Sequence, residues 1–307
     1  MMSEKVFRDT RTQIGILRGR GVVVKNKKYA KQLIRRVNYY NLINGYKTPF
    51  ILTRTPSEKY LPGTTLEEIF ALYEFDRKLR IITLEQLLKI EKQIKTLIAY
   101  CFSRNYGHKD YLKIENFDNR GSKKYTQVCT LLSLLYKKIP QNIENDLSVI
   151  HYVQGKNYVP LWILVNTMSF TETSKFYSCM QQKDRDEVAK RAKWGLRENQ
   201  LASILYFLSS IRNRCAHDER LYSYASYAFL GINNYFSYFR INKKSTNNYF
   251  AVLIAFKLLL SPKEYLAFQK QVDDLFSELA QNLKVVSVTK IRKEMGFPNN
   301  WRTLGNL

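Results

Sequence analysis

The apolar run Leu201-Ala202-Ser203-Ile204-Leu205-Tyr206-Phe207-Leu208 passes into the polar stretch Arg212-Asn213-Arg214-Cys215-Ala216-His217, then into Asp218-Glu219-Arg220-Leu221-Tyr222. Its apolar residues recur at helical spacing, and nothing over Glu198 to Cys215 prefers a strand at that length. The chain must therefore bury one helix along most of its length and let a polar cluster emerge at its end. On a straight helix Asn213 and His217, four apart, share a face, whereas Arg212 and His217, five apart, stand about 140° from each other round the cylinder. Two arrangements would bring both to one atom. Either the helix ends near Cys215 and the histidine swings back, or two copies of the motif meet across a symmetric interface.

The rest of the chain also reads as helix. Thr65-Leu66-Glu67-Glu68 and Thr83-Leu84-Glu85-Gln86 both carry the capping-box pattern, which predicts one helix through Leu79 and a second through Ile98, ended by Gly107. Glu91 and Lys95 in the second are four apart and read as a structural ion pair. Further helices are predicted over 123–138, 143–154, 160–168, 171–180 and 184–194, and beyond the motif over 221–239, 249–260 and 262–283. Near the start, Gln13 to Leu17 is a short helix stopped by Gly19 or Gly21, and Val22 to Val24 an extended step. Asn26 then opens a helix whose Tyr29, Leu33, Val37, Tyr40 and Ile43 face inward, with Gly45 as the left-handed residue after it. Pro49, Pro56 and Pro62 mark 47–63 as loop. No alternation of strand length and no repeat appears, so the expected fold class is all-α, a multi-helix bundle with an N-terminal basic helical extension. Its expected segments are a basic N-terminal piece, 1–63, a helical domain, 64–283, and a basic tail, 284–307.

Charge narrows the partners. Against 26 Asp+Glu stand 50 Lys+Arg, a net charge of +24, alongside 22 tyrosines. Such an excess repels itself unless an anion offsets it, and tyrosines offer faces to unpaired bases, so RNA is the expected partner. The candidate contacts are Arg18, Arg20, Lys27, Lys28, Lys31, Arg35 and Arg36, with Tyr39 and Tyr40 beside them, and Lys290, Arg292 and Lys293 in the tail. Any one of those lysines equally fits a solvated helix face, and the tyrosines equally fit a core. Cys101, Cys129, Cys179 and Cys215 show no paired spacing, and His108 and His151 complete no ligand pattern, so no metal and no cofactor is expected. No apolar stretch reaches membrane-spanning length and the first residues lack the apolar core of a signal peptide. The expectation is a soluble, cytoplasmic protein.

The chemistry available to Arg212, Asn213 and His217 is cleavage of an RNA phosphodiester without metal. A histidine can take the proton of a ribose 2′-OH or give one to the leaving 5′-oxygen. An arginine fork can hold the phosphate and the extra charge of the pentacoordinate transition state, and an amide can orient either group. DNA lacks the 2′-OH, so such a site is RNA-specific by mechanism. The same spacing also fits a solvated arginine and a histidine that merely ends a helix.

Several stretches together resemble the AbiD/AbiF-like abortive-infection proteins of bacteria. They are Gln13-Ile14-Gly15-Ile16-Leu17-Arg18-Gly19-Arg20-Gly21, Val37-Asn38-Tyr39-Tyr40 with Gly45-Tyr46, Leu72 to Arg80, Tyr106-Gly107-His108, Pro160-Leu161-Trp162 and Arg212 to His217. That family is similar to the HEPN superfamily, helical domains whose Arg-x-x-x-x-His motif cuts RNA, usually as a dimer. The resemblance implies a HEPN-like bundle, a catalytic set of Arg212, Asn213 and His217, a homodimer, and a small noncoding RNA that restrains or guides the protein. Where relatives silenced by nucleotidylation carry a tyrosine two places after the histidine, this chain has Glu219. The alternative expectation is a non-catalytic protein that holds a structured RNA.

Overall fold

The computed structural model describes residues 6–55, 57–231, 233–242 and 245–307. Its organising element is one helix of 41 residues, α3 (Leu66–Tyr106), roughly 60 Å long at 1.5 Å per residue. Leu66, Ile69, Leu72, Phe75, Leu79, Thr83, Leu87, Ile90, Ile94, Ile98 and Phe102 are buried along it at steps of three and four, so one apolar stripe runs its whole length. Thr65 caps its start in a reciprocal box with Glu68, as expected, and Gly107 ends it at a φ of 90°. The second capping box is not used. Thr83 Oγ1 instead donates to the Leu79 carbonyl at 2.7 Å and meets the buried Tyr249 hydroxyl at 2.6 Å, so the helix runs on through a predicted boundary.

The N-terminal arm packs beside the start of α3. Asp9 caps α1 (Thr10–Gly19) and Asn26 caps α2 (Lys27–Val37), each side chain accepting from a backbone N–H. The inward face of α2 is Ala30, Leu33 and Ile34, whereas Tyr29 and Tyr40 are exposed, contrary to the expected stripe. For Tyr40 the reason is a change of phase. Asn38 adopts a φ of 71° and ends the helix, and a wider π turn follows over Tyr40–Asn44, so residues beyond Val37 no longer continue the α2 face. Gly45 is right-handed at a φ of −70°, and the left-handed position falls on Asn38 instead. Val23 makes the expected extended step, bridging Thr65, and 47–63 holds a short hairpin, β1 (Ile51–Thr53) with β2 (Lys59–Tyr60), among the described residues.

Along α3 lie α6 (Leu161–Leu164), α7 (Phe170–Cys179), α8 (Gln182–Ala192) and the motif helix α9 (Glu198–Ala216), with α4 (Ser122–Asn142) on α7 and α5 (Leu147–Lys156) against α4 and α6. α9 packs against α3, α7 and α8 and touches α11 (Tyr249–Leu259). Every residue of α11 from Tyr249 to Phe256 is buried, as an all-round apolar helix requires. The expected helix over 221–239 shrinks to α10 (Asn233–Tyr238), because tertiary partners take the Ser226 and Leu230 N–H groups that its interior would need. The N–H groups of Leu221 and Tyr222 donate to Asp76, and those of Ser226 and Leu230 donate to the carbonyls of Asn247 and Thr246.

α12 (Pro262–Asn282) lies along the first half of α3, where Phe276 stacks on Phe75 at 5.3 Å. The C-terminal segment then folds back as α13 (Val288–Glu294) and a 3₁₀ turn over Trp301–Asn306. Phe297 and Trp301 pack edge-on at 5.1 Å and both meet Phe276. Glu68 secures the start of this return. Its carboxylate accepts from the N–H of Lys284 and Val285 at 2.7 and 2.8 Å, and although burial acts to raise its pKa, these bonds and those from Thr65 hold it below the usual range.

Candidate functional site

The end of α9 presents the predicted trio unevenly. Arg212 points toward α3, with its side chain 25% exposed and its Nε 3.4 Å from Glu91 Oε2, within ion-pair range but not aligned for a hydrogen bond. Glu91 Oε1 accepts from Lys95 at 2.7 Å, so the expected Glu91–Lys95 pair is one edge of a three-membered set that includes the motif arginine. No hydrogen bond to another described residue occupies the terminal nitrogens of the Arg212 fork. Asn213 turns to the other side and donates to Thr171 Oγ1 on α7 at 3.2 Å. His217 is the exposed C-cap of α9.

The helix does not end early enough for the histidine to swing back. It runs to Ala216, and the His217 N–H still bonds the Asn213 carbonyl at 3.0 Å, so His217 keeps the helical register. Arg212 and His217 therefore stay on different sides of the cylinder, about 140° apart. The structure does not bring the two together within one chain, while Asn213 and His217 do share a face.

The neighbouring motif residues have structural duties. Arg214 lies 3.8 Å from the centroid of the Tyr224 ring and pairs with Glu219 at 2.9 Å, which separates it from the open fork of Arg212. Cys215 is buried, and desolvation pushes its thiol up to about 12, so it supplies no thiolate near neutral pH.

Directly after His217 the chain enters a buried polar hub. Asp218 sits at a φ of 54°, and its carboxylate accepts from Arg80 at 2.5 Å. Arg80, 3% exposed, bridges onward to Asp76, which also accepts from Tyr46 and from the N–H groups of Leu221 and Tyr222. Burial pushes the Asp76 carboxyl upward, against the pull of Arg80 and of these hydrogen bonds. Arg220 adds a bond to the Gly45 carbonyl at 2.6 Å, and Tyr46 stacks on Tyr222. Three stretches distant in sequence, Gly45-Tyr46, Asp76 to Arg80 and Asp218 to Tyr222, are thus one unit that fixes where α9 ends. Asp76 and Arg80, at the i, i+4 spacing of a helical ion pair, were open to recognition in the sequence, and so was Glu91. Thr171 carried no sequence signal.

The expected RNA contacts divide. Arg18, Lys27, Lys28, Lys31, Arg35, Arg36 and Tyr40 are exposed on α1, α2 and the turn after them. Arg20 is tied to Glu58 at 2.8 Å, and Tyr39 is partly buried against the core. In the C-terminal segment Lys293 is exposed, Lys290 donates to the Pro49 carbonyl at 2.9 Å, and Arg292 lies over Phe276 with a buried Nε. That last bond brings α13 beside the turn that follows the arm. Among the described residues no group of three or more His, Cys, Asp or Glu is placed to hold a metal, and no helix is long and apolar enough to cross a membrane.

No curated protein and no solved structure matches the chain. The model of one family, described as Abi-like protein, does match, over residues 32–223, well over half the chain. That span runs from within α2 to just beyond the hub and takes in Tyr46, Asp76, Arg80, Glu91 and the whole of α9. With the hub and the motif helix inside the match, the chain belongs to the Abi-like family and takes part in abortive infection.

Proposed function

We propose that the protein is a metal-independent endoribonuclease of the HEPN type, acting in an antiviral abortive-infection or toxin–antitoxin system as a homodimer and regulated by a small noncoding RNA. The observation that carries this reading is the end of α9, where a part-exposed arginine with an open fork, an asparagine amide bonded to Thr171 of α7 and an exposed imidazole all lie at one helix terminus. Arg212 would hold the scissile phosphate, His217 would move the proton of the 2′-OH or of the leaving oxygen, and Asn213 would orient the ribose or the imidazole. Because the register keeps Arg212 and His217 apart on one helix, the working site pairs Arg212 of one copy with His217 of another across a two-fold axis. The exposed bases of α1 and α2 suit the phosphates of a bound RNA.

The test is cleavage of RNA in EDTA, with the product ends mapped. Products should carry 2′,3′-cyclic phosphate and 5′-hydroxyl termini, and His217→Ala should abolish them. Cleavage that needs Mg²⁺, or that survives the substitution, would reject the assignment.

A further inference from the structure

Two stretches singled out in the sequence, Tyr106-Gly107-His108 and Pro160-Leu161-Trp162, play no part in the chemistry at α9. The structure joins them. The Leu161 N–H donates to the His108 carbonyl at 3.0 Å, and the His108 and Trp162 rings lie 6.0 Å apart. Tyr158 comes within 5.0 Å of His108, and Tyr152 and His151 extend the line of rings along the last turns of α5.

The local backbone builds this platform. α5 ends at Lys156, and Asn157 takes a left-handed φ of 59°, which turns the chain so that Tyr158 projects back over the helix end. Val159 is then buried, its carbonyl accepting from the Tyr111 hydroxyl at 2.7 Å, and Pro160 starts α6 with Trp162 facing out. Trp162 is 45% exposed, although an indole of that size gains most from burial. Its surroundings are cationic: Lys109 lies 6.0 Å from the centroid of the Tyr158 ring, and Lys156 is exposed on the adjoining turn.

We propose that this aromatic line is a second RNA site, a stacking platform for unpaired bases of a single strand, with Lys109 and Lys156 meeting its phosphates. An exposed indole, flanked by partly exposed rings and ammonium groups, is what a single strand offers its bases and backbone to, and a duplex, with its bases already stacked, cannot use it. The inference rests on the reading that the protein handles RNA, but needs nothing from Arg212 or His217. No platform residue lies on α9.

The experiment uses the full chain carrying His217→Ala, so that bound RNA stays intact, and follows the anisotropy of a labelled 12-nucleotide single strand, a blunt duplex of equal length, and competition by AMP. Trp162→Ala and Tyr158→Ala should each weaken single-strand binding about tenfold and leave duplex binding unchanged, while Trp162→Phe, which keeps a ring face, should retain most of it. Circular dichroism confirms that each variant is folded. Equal single-strand affinity in folded Trp162→Ala and in the parent would overturn the proposal. So would AMP competing as strongly as the strand, which would make the platform a mononucleotide site. A wild-type chain that cuts no RNA, with strand binding still lost on Trp162→Ala, would reject the nuclease and keep the platform; a wild-type chain that cuts RNA, with strand binding unchanged by Trp162→Ala, would do the reverse.

Discussion

Asp76 is the residue on which the motif region depends most. It is fully buried, and its carboxylate is the acceptor for a guanidinium, a phenol and two backbone N–H groups. Removing one partner of a buried ion pair strands the other, so Asp76→Ala should cost about 3–5 kcal/mol in chemical denaturation, well beyond a surface change. Asp218→Ala, whose side chain is 73% exposed, should cost far less. A pH dependence comes from a different carboxylate. Arg120, then Lys124, hold the pKa of Asp118 below the usual carboxylate range. A depressed folded-state value means that the stabilisation is present above an unfolded pKa of about 4 and is lost as the pH falls through the lower folded value. Asp118→Asn should therefore flatten the acid limb of a stability-against-pH curve and leave its slope above pH about 6 unchanged.

At the scale of elements, periodicity and capping showed most of the architecture. Glu198 to Ala216 appears as a helix within one residue of expectation, and the Thr65 box, the Gly107 stop and the Pro262 start all hold. Two of the misses share a cause, which is that distant partners outbid local signals. Thr83 looks like a cap, but Tyr249, 166 residues on, supplies a bond that keeps it inside α3. Leu221 to Phe239 looks helical, but the carbonyls of Thr246 and Asn247 claim the N–H groups of Leu230 and Ser226. The site was half legible for the same reason: spacing marks Arg212, Asn213 and His217, while Glu91 acquires its second partner only when α9 packs on α3. Thr83→Val keeps the shape and removes the hydroxyl, leaving the buried Tyr249 phenol unpaired. It should lower stability by about 1–3 kcal/mol, measured by denaturant midpoint.

At the scale of the whole molecule, the proposed two-copy site makes a prediction that no single-chain site shares. Neither Arg212→Ala nor His217→Ala should cut RNA alone. Mixed and allowed to exchange subunits, they should regain about a quarter of the parent rate, because half the dimers are mixed and each mixed dimer holds one intact site. Recovery absent despite verified exchange would place arginine and histidine of one chain at one phosphate.

The hub also bears on the order in which the chain is made. Asp76 and Arg80 leave the ribosome early, yet the Leu221 N–H that Asp76 receives is 145 residues further on, and the helix carrying Arg212 and His217 lies just before it. A growing or prematurely terminated polypeptide short of Tyr222 has a carboxylate with no complete set of donors and a motif helix with no fixed end. A product that stops there lacks the contacts that fix the end of α9, so whatever that end does to a cell should begin only once synthesis has passed Tyr222.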